Sequence, residues 1–252
     1  MAETGSPPAM RGWRFWAFIG FMLALMALFI ALGTWQVERL GEKERLIADV
    51  AARADLPPEP LPAASEWATL DPETVDFRAV SFAGHYVPAG TVLVFTSLSE
   101  QRGAYSGPGY WVMTPFVLDG GGTVFVDRGF VPDGSAPDFA SGQRVSTDPV
   151  TLTGTLRRAE AIGAFTPATD TARHVEWVRN PARLATLAGD LPQPVAPFYV
   201  DLPAGAPQTL PQGGETVMEF PNNHLGYAAT WFGFALLVPF LLWFWVRRQR
   251  VT

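Results

Sequence analysis

The chain has 252 residues, of which 48% are hydrophobic and only 17% charged, below the quarter that soluble domains usually carry. Net charge is −6 with no basic stripe, which argues against nucleic acid as a partner. There is no cysteine, so disulfides, thiolate metal sites and cysteine nucleophiles are excluded. Six scattered methionines do not replace the soft sulfur ligands that copper carriers need.

Residues 1–14 form a short tail that carries Arg11 and Arg14. From Phe15 to Val37 no residue is charged, enough for a helix to cross about 30 Å of hydrocarbon, so residues 15–37 are expected to be a first transmembrane helix. Ala31-Leu32-Gly33 resembles a cleavage site, but a signal peptide's apolar region is only about 7–15 residues long. An uncleaved anchor is the reading, with cleavage as the alternative. Gln36 to Ala54 continues as a helix out of the membrane, with Leu40, Leu46, Ile47 and Val50 as its apolar positions. The Pro-rich stretch Leu56–Pro62 ends it.

Six segments rich in Val, Phe, Thr and Tyr follow and read as strands: Phe77–Val87, Thr91–Leu98, Tyr110–Leu118, Thr123–Val131, Val150–Arg157 and Phe198–Leu202. Asp119-Gly120-Gly121-Gly122 is a hairpin turn, because glycine supplies positive φ without steric cost. Asn180-Pro181 starts a short helix over Ala182–Ala188, with Asn as the cap and Pro in the first turn. No helix of crossover length lies between the strands, so an antiparallel barrel or sandwich is expected over residues 38–224, not a parallel sheet. Pro203 to Gly214 is a linker to a second uncharged run, residues 225–246, the second expected transmembrane helix. Residues 247–252 close the chain. The fold class is therefore an α+β membrane protein, with two transmembrane helices flanking an antiparallel β-rich extracytoplasmic domain.

Arg247, Arg248 and Arg250 follow the second run, whereas the twenty residues before it hold Glu215 and Glu219 and no Lys or Arg. Positive charge stays cytoplasmic, so both termini lie inside and the loop from Glu38 to His224 lies outside, in the periplasm of a bacterium or an equivalent compartment. Arg39, Lys43 and Arg45 on the outer flank of the first run make that end ambiguous taken alone. The expected packing between spans is a small-residue stripe, Gly226, Ala229, Thr230 and Gly233, against Ala17, Gly20, Ala24, Ala27, Ala31 and Thr34.

The chain contains no G-x-S-x-G elbow, phosphate loop, H-E-x-x-H or dinucleotide fingerprint, and no enzyme is expected. Asp127-Arg128 beside Gly129 fits a docking site or, more simply, an ion pair or turn contact that fixes the loop; the simpler reading is preferred. His85 reads as a sheet residue and His174 as part of a solvated polar segment. His224 stands at the mouth of the second span, where an ionisable residue is either functional or an interfacial anchor for the helix end. On a 3.6-residue helix Tyr227, Ala228, Trp231 and Ala235 share its face. An apolar macrocycle could lie there with its iron on the imidazole, or the stripe is ordinary lipid or helix contact.

Several motifs, in order, resemble one family. They are Gly33-Thr34-Trp35-Gln36 with Arg39, Lys43, Leu46 and Ile47; Phe77-Arg78-Ala79-Val80 with Gly84; and Gly107-Pro108-Gly109-Tyr110 with Thr114-Pro115. Val126-Asp127-Arg128-Gly129-Phe130-Val131-Pro132, Phe165-Thr166-Pro167-Ala168-Thr169-Asp170 and Trp177 follow. Pro221-Asn222-Asn223-His224-Leu225 with Tyr227-Ala228, Trp231-Phe232-Gly233 and Ala235 closes the set. Together they resemble the surfeit locus protein 1 family of cytochrome c oxidase assembly factors. This chain departs from the family's residues at Glu42, Phe130, Thr169 and Asn180. The resemblance implies an inner-membrane assembly factor that binds haem a and aids its insertion into oxidase subunit I. The position the family links to haem falls on His224 and no other histidine; His224 would be the axial ligand, with Tyr227, Ala228 and Trp231 beside it, and a second ligand from His85 or His174 stays open. Cytochrome c oxidase subunit I, haem a synthase and membrane lipid are the implied partners. The alternative is a scaffold that stabilises subunit I or the synthase without binding haem.

Overall fold

A computed structural model describes residues 12–54, 56–142, 144–215 and 223–248. Arg11, Glu219, Pro221, Asn222 and Arg250, used above, lie outside them, as do the side chains of Leu46 and Val50. The chain forms two compact units: the terminal helices, residues 1–48 and 219–252, and a β-domain over residues 49–218.

In the helical unit, α1 spans Trp13–Ala54 and α4 spans His224–Arg248; each contains a stretch long and apolar enough to cross a membrane. As anticipated, α1 runs unbroken past Val37. The small-residue packing is overturned. Ala17, Gly20, Ala24, Ala27, Ala31 and Thr34 are all exposed, and so are Gly226, Ala229, Thr230 and Gly233. The helices meet through Phe15, Phe18, Phe29 and Gln36 on α1, and the half-buried Met22, Leu25 and Leu32 fall in the same 3.5-residue series. On α4 the matching residues are His224, Ala228, Trp231, Ala235, Val238, Leu242 and Trp245.

Both series advance by alternating steps of three and four, the 3.5-residue repeat of a left-handed antiparallel pair. Trp245 lies 5.1 Å from Phe15 and 4.4 Å from Phe18, and Trp231 stacks on Phe29 at 5.8 Å. Between spans in lipid the drive is dispersion rather than expulsion of water. Large aromatic knobs in facing holes supply more of it than bare glycines. The unused hydroxyls of Thr34 and Thr230 bond carbonyls four residues back, Ile30 and Gly226.

In the β-domain the strands are β1 (Glu59–Pro60), β2 (Ala79–Tyr86), β3 (Val92–Leu98), β4 (Gly107–Leu118), β5 (Thr123–Pro132), β6 (Val150–Arg158), β7 (Val175–Glu176) and β8 (Val195–Asp201). The helices are α2 (Pro72–Val75) and α3 (Pro181–Leu187). The sheet runs β1-β2-β6-β8-β5-β4-β3-β7, and a further β2–β4 pairing closes β2, β6, β8, β5 and β4 into a ring. All six expected strands are present. Asn180 caps α3, its Oδ1 accepting from the Ala182 N–H at 3.2 Å.

The sheet is mainly antiparallel, as expected, but three pairs, β1–β2, β3–β7 and β5–β8, are parallel. A parallel pair requires a long crossover rather than a hairpin. Residues 133–194, which include β6 and α3, supply it for β5–β8. The two-residue strands β1 and β7 carry no periodicity by which a sequence could reveal them.

Alternate residues point into the barrel, as the two-residue strand period dictates. Val80, Phe82, Phe116, Val124, Val126, Leu156, Phe198 and Val200 are buried there, with Phe116 edge-on to Phe82 at 5.2 Å and Tyr86 at 5.0 Å. A second core beneath α3 joins Val92, Val94, Met113, Phe125, Leu184 and Tyr199.

Closure turns on Gly84, which pairs with Val150 of β6 on one side and Leu118 of β4 on the other. A Cβ there would collide with the Val117 carbonyl oxygen. Gly84→Ala is expected to lower stability by about 1–3 kcal/mol, the usual range for overpacking. Gly120→Ala, where nothing lies within 4 Å, is expected to be nearly neutral in the same denaturant titration.

Candidate functional site

His224 is the first residue of α4, and its Nδ1 lies 2.7 Å from Oε1 of Gln36 on α1. An amide oxygen only accepts, so with Oε1 facing it the contact requires Nδ1–H as donor, and a neutral ring in that tautomer keeps its lone pair on Nε2. Gln36 is itself buried in the helix seam. Three turns of packing set this distance. Phe232 lies over Gly33, where a Cβ would come within 2.7 Å of its ring, Ala228 is buried, and Trp231, Phe29 and Phe234 form a three-ring cluster.

The sequence-derived residues therefore divide. His224 is partly exposed and Tyr227 is 57% exposed, whereas Ala228 and Trp231 belong to the seam with α1. Trp35, next to Gln36, is exposed, with the Arg39 guanidinium 6.0 Å from its ring; Arg39 also pairs with Glu42 at 2.7 Å.

Among the described residues, no three His, Cys, Asp or Glu side chains come together as a metal site. A single imidazole would suit an iron whose remaining donors come mainly from a macrocycle. His85 is exposed on β2, and His174 sits in a loop with a left-handed backbone, φ 59°.

Gln36 escaped notice as a site residue, appearing above only inside a motif. Its signal was available: it is the polar member of an otherwise apolar 3.5-residue series, the position at which a buried amide specifies a pairing.

A second polar centre lies in the β-domain, around Arg179. This guanidinium lies 2.7 Å from Glu160, 3.1 Å from Asp127 and 3.7 Å from Asp201, sandwiched over Trp111 at 4.8 Å and Tyr199 at 5.2 Å. Arg157 bridges Asp76 at 3.1 Å and Asp201 at 3.2 Å. Asp127 Oδ1 also accepts from the Gly129 N–H at 2.9 Å, and Arg128 donates to the Arg144 carbonyl at 3.2 Å. The Asp127-Arg128 motif is thus a turn and ion-pair fixture.

The fixture also holds the chain that leads on towards α4. Phe130 and Gln212 exchange two backbone bonds at 2.8 Å, and the Leu202 N–H donates to the Asp127 carbonyl at 3.0 Å. Glu215, buried, accepts from the backbone N–H groups of Arg102 at 2.8 Å and Gly103 at 2.7 Å.

Burial first, and then the charge of Asp201, push the Asp127 carboxyl up to about 7, against the pull of Arg179 and the Gly129 N–H. An unfolded aspartate titrates near 3.9. The folded chain therefore keeps a proton that the unfolded chain has released between about pH 4 and pH 7. The stability this group contributes is full below about pH 4 and is lost as pH rises to about 7. Asp127→Asn, which needs no proton, is expected to flatten that decline; guanidinium midpoints at pH 5 and pH 8 should converge in the variant relative to the parent.

A family model described as the SURF1 family matches residues 23–236. The rat protein Surfeit locus protein 1 (Rattus norvegicus) is 31% identical over 241 residues, 90% of this chain and 76% of the rat protein. Its human counterpart (Homo sapiens) is 30% identical over 242 residues, 90% and 77% of the two chains. A SURF1-like protein of Monosiga brevicollis is 30% identical over 247 residues, 94% and 89%.

Proposed function

The chain belongs to the SURF1 family, and on that premise we propose that it is an assembly factor for haem-copper cytochrome c oxidase that holds haem a and passes it to subunit I. The observation that carries this reading is the His224 imidazole, at the first turn of a membrane-length helix, with its Nδ1 turned to Gln36 Oε1 at 2.7 Å. His224 would hold the haem iron through its imidazole. Tyr227 offers aromatic surface beside it, and Ala228 and Trp231 form the packed wall of the same helix turns. Haem a carries a long apolar tail, and a ligand at the membrane boundary keeps that tail out of water. A single protein ligand also favours release.

The chain acts as a carrier rather than a catalyst. Its helices lie in the inner membrane with both termini cytoplasmic and the β-domain periplasmic, where haem a synthase and subunit I are its partners. One observation favours a second reading, a scaffold that stabilises those partners without haem. Ala228 and Trp231 are already engaged with α1, so the His224 face is also a helix-packing face.

The experiment that separates them is purification of the full chain from cells making haem a, followed by its absorption spectrum and haem content. Near-stoichiometric haem a supports the carrier. Haem-free protein from cells with ample haem a removes that reading and leaves the scaffold.

A further inference from the structure

We infer that Gln36 is the positioning residue for His224, and that its neutral amide sets both which nitrogen ligates iron and how tightly. This rests on the carrier reading above for its purpose, but the geometry behind it stands without haem. The Gln36 Oε1 lies 2.7 Å from Nδ1 and is buried in the seam, so the acceptor is held in place by the packing of α1 against α4.

Ligating histidines ordinarily donate the second ring N–H to an acceptor, and the strength of that acceptor tunes the basicity of the ligating nitrogen. A carboxylate would push the imidazole towards a strong, anionic ligand. A neutral amide fixes the tautomer while leaving the nitrogen a moderate one, which is what a protein that must give up its cargo requires. The same 3.5-residue repeat that pairs the helices brings Gln36 to His224, so a slip of one helix past the other would separate them.

The first test uses the haem-free full chain in detergent or nanodiscs, with ¹⁵N-histidine. Only three histidines are present, so His85→Ala and His174→Asn assign the spectrum. The neutral imidazole of His224 is expected to show its proton on Nδ1. A proton on Nε2, as free histidine prefers, overturns the inference. In Gln36→Leu the proton is expected to move to Nε2.

The second test adds haem a. Gln36→Leu should weaken binding about 10–100-fold, the range for loss of such a partner. Gln36→Glu should tighten binding, lower the reduction potential of the bound iron and slow its transfer to apomyoglobin. A merely structural role for Gln36 would leave the potential unmoved. If the parent binds no haem, the carrier reading falls while the tautomer result stands. If haem binds but neither tautomer nor potential follows residue 36, only the present inference falls.

Discussion

His224→Ala is expected to strip the purified protein of haem a while leaving the chain folded. The loss should exceed the 10–100-fold that follows removal of a histidine's supporting partner, because the ligand itself is gone. The substitution is structurally mild. His224 is the first residue of α4 and is only partly buried, and the seam below it, from Ala228 to Trp245, is untouched.

His85→Ala and His174→Asn supply the contrast. His85 is an exposed strand residue, and asparagine tolerates the left-handed backbone at residue 174. Both should keep their haem. A sharper form of the test is His224→Gly with added imidazole, where the small molecule is expected to restore the spectrum of the bound haem. Retention of haem by His224→Ala, or loss in all three variants alike, would place the ligand elsewhere.

Much of the architecture was legible because it is written in local patterns. Two uncharged runs longer than a bilayer's core can only be helices there. The Asn180-Pro181 start and the glycine turn after Asp119 are likewise set by a few adjacent residues. What escaped was set by partners far apart in the chain. Gln36 and His224 are 188 residues apart, and the pairing of Gly84 with two different strands is a property of barrel closure.

The helix seam shows why a familiar motif misled. Both helices carry a small-residue stripe and a 3.5-residue apolar series, and either can mediate packing. The apolar series is the one that pairs, with contacts running from Phe15–Trp245 at one end through Phe29–Trp231 to Gln36–His224 at the other. The residues of the Arg179 centre come from six separate segments, and of them only Asp127 stood out as a candidate in the sequence.

Arg179→Met is expected to destabilise the β-domain by about 3–5 kcal/mol, the cost of removing one partner from a buried ionic group. For a domain of this size that corresponds to a fall in Tm of roughly 6–20 °C. The reason lies in what is left behind. Asp127 and Asp201 are almost wholly buried, and Arg157 reaches only the second of them, at 3.2 Å. Burial alone would lower the basicity of Arg179, yet Tyr199, Asp201, Glu160 and Asp127 hold its pKa well above the ordinary guanidinium range. It is therefore charged at any accessible pH, and no titration relieves its loss.

Asp127 can respond, because its carboxyl already favours the proton. The penalty for Arg179→Met should accordingly be smaller at pH 5, where Asp127 is neutral, than at pH 8, where the fold must either bury the charge or pay for protonation. Asp127→Asn in the Arg179→Met background should recover part of the loss at pH 8 and little at pH 5, a coupling that a double-mutant cycle reads directly. Arg179→Lys should not rescue. An ammonium cannot fork between Glu160 and Asp127 while lying flat between Trp111 and Tyr199. Equal penalties at the two pH values would mean that the cluster is held by packing around the guanidinium plane rather than by its charge.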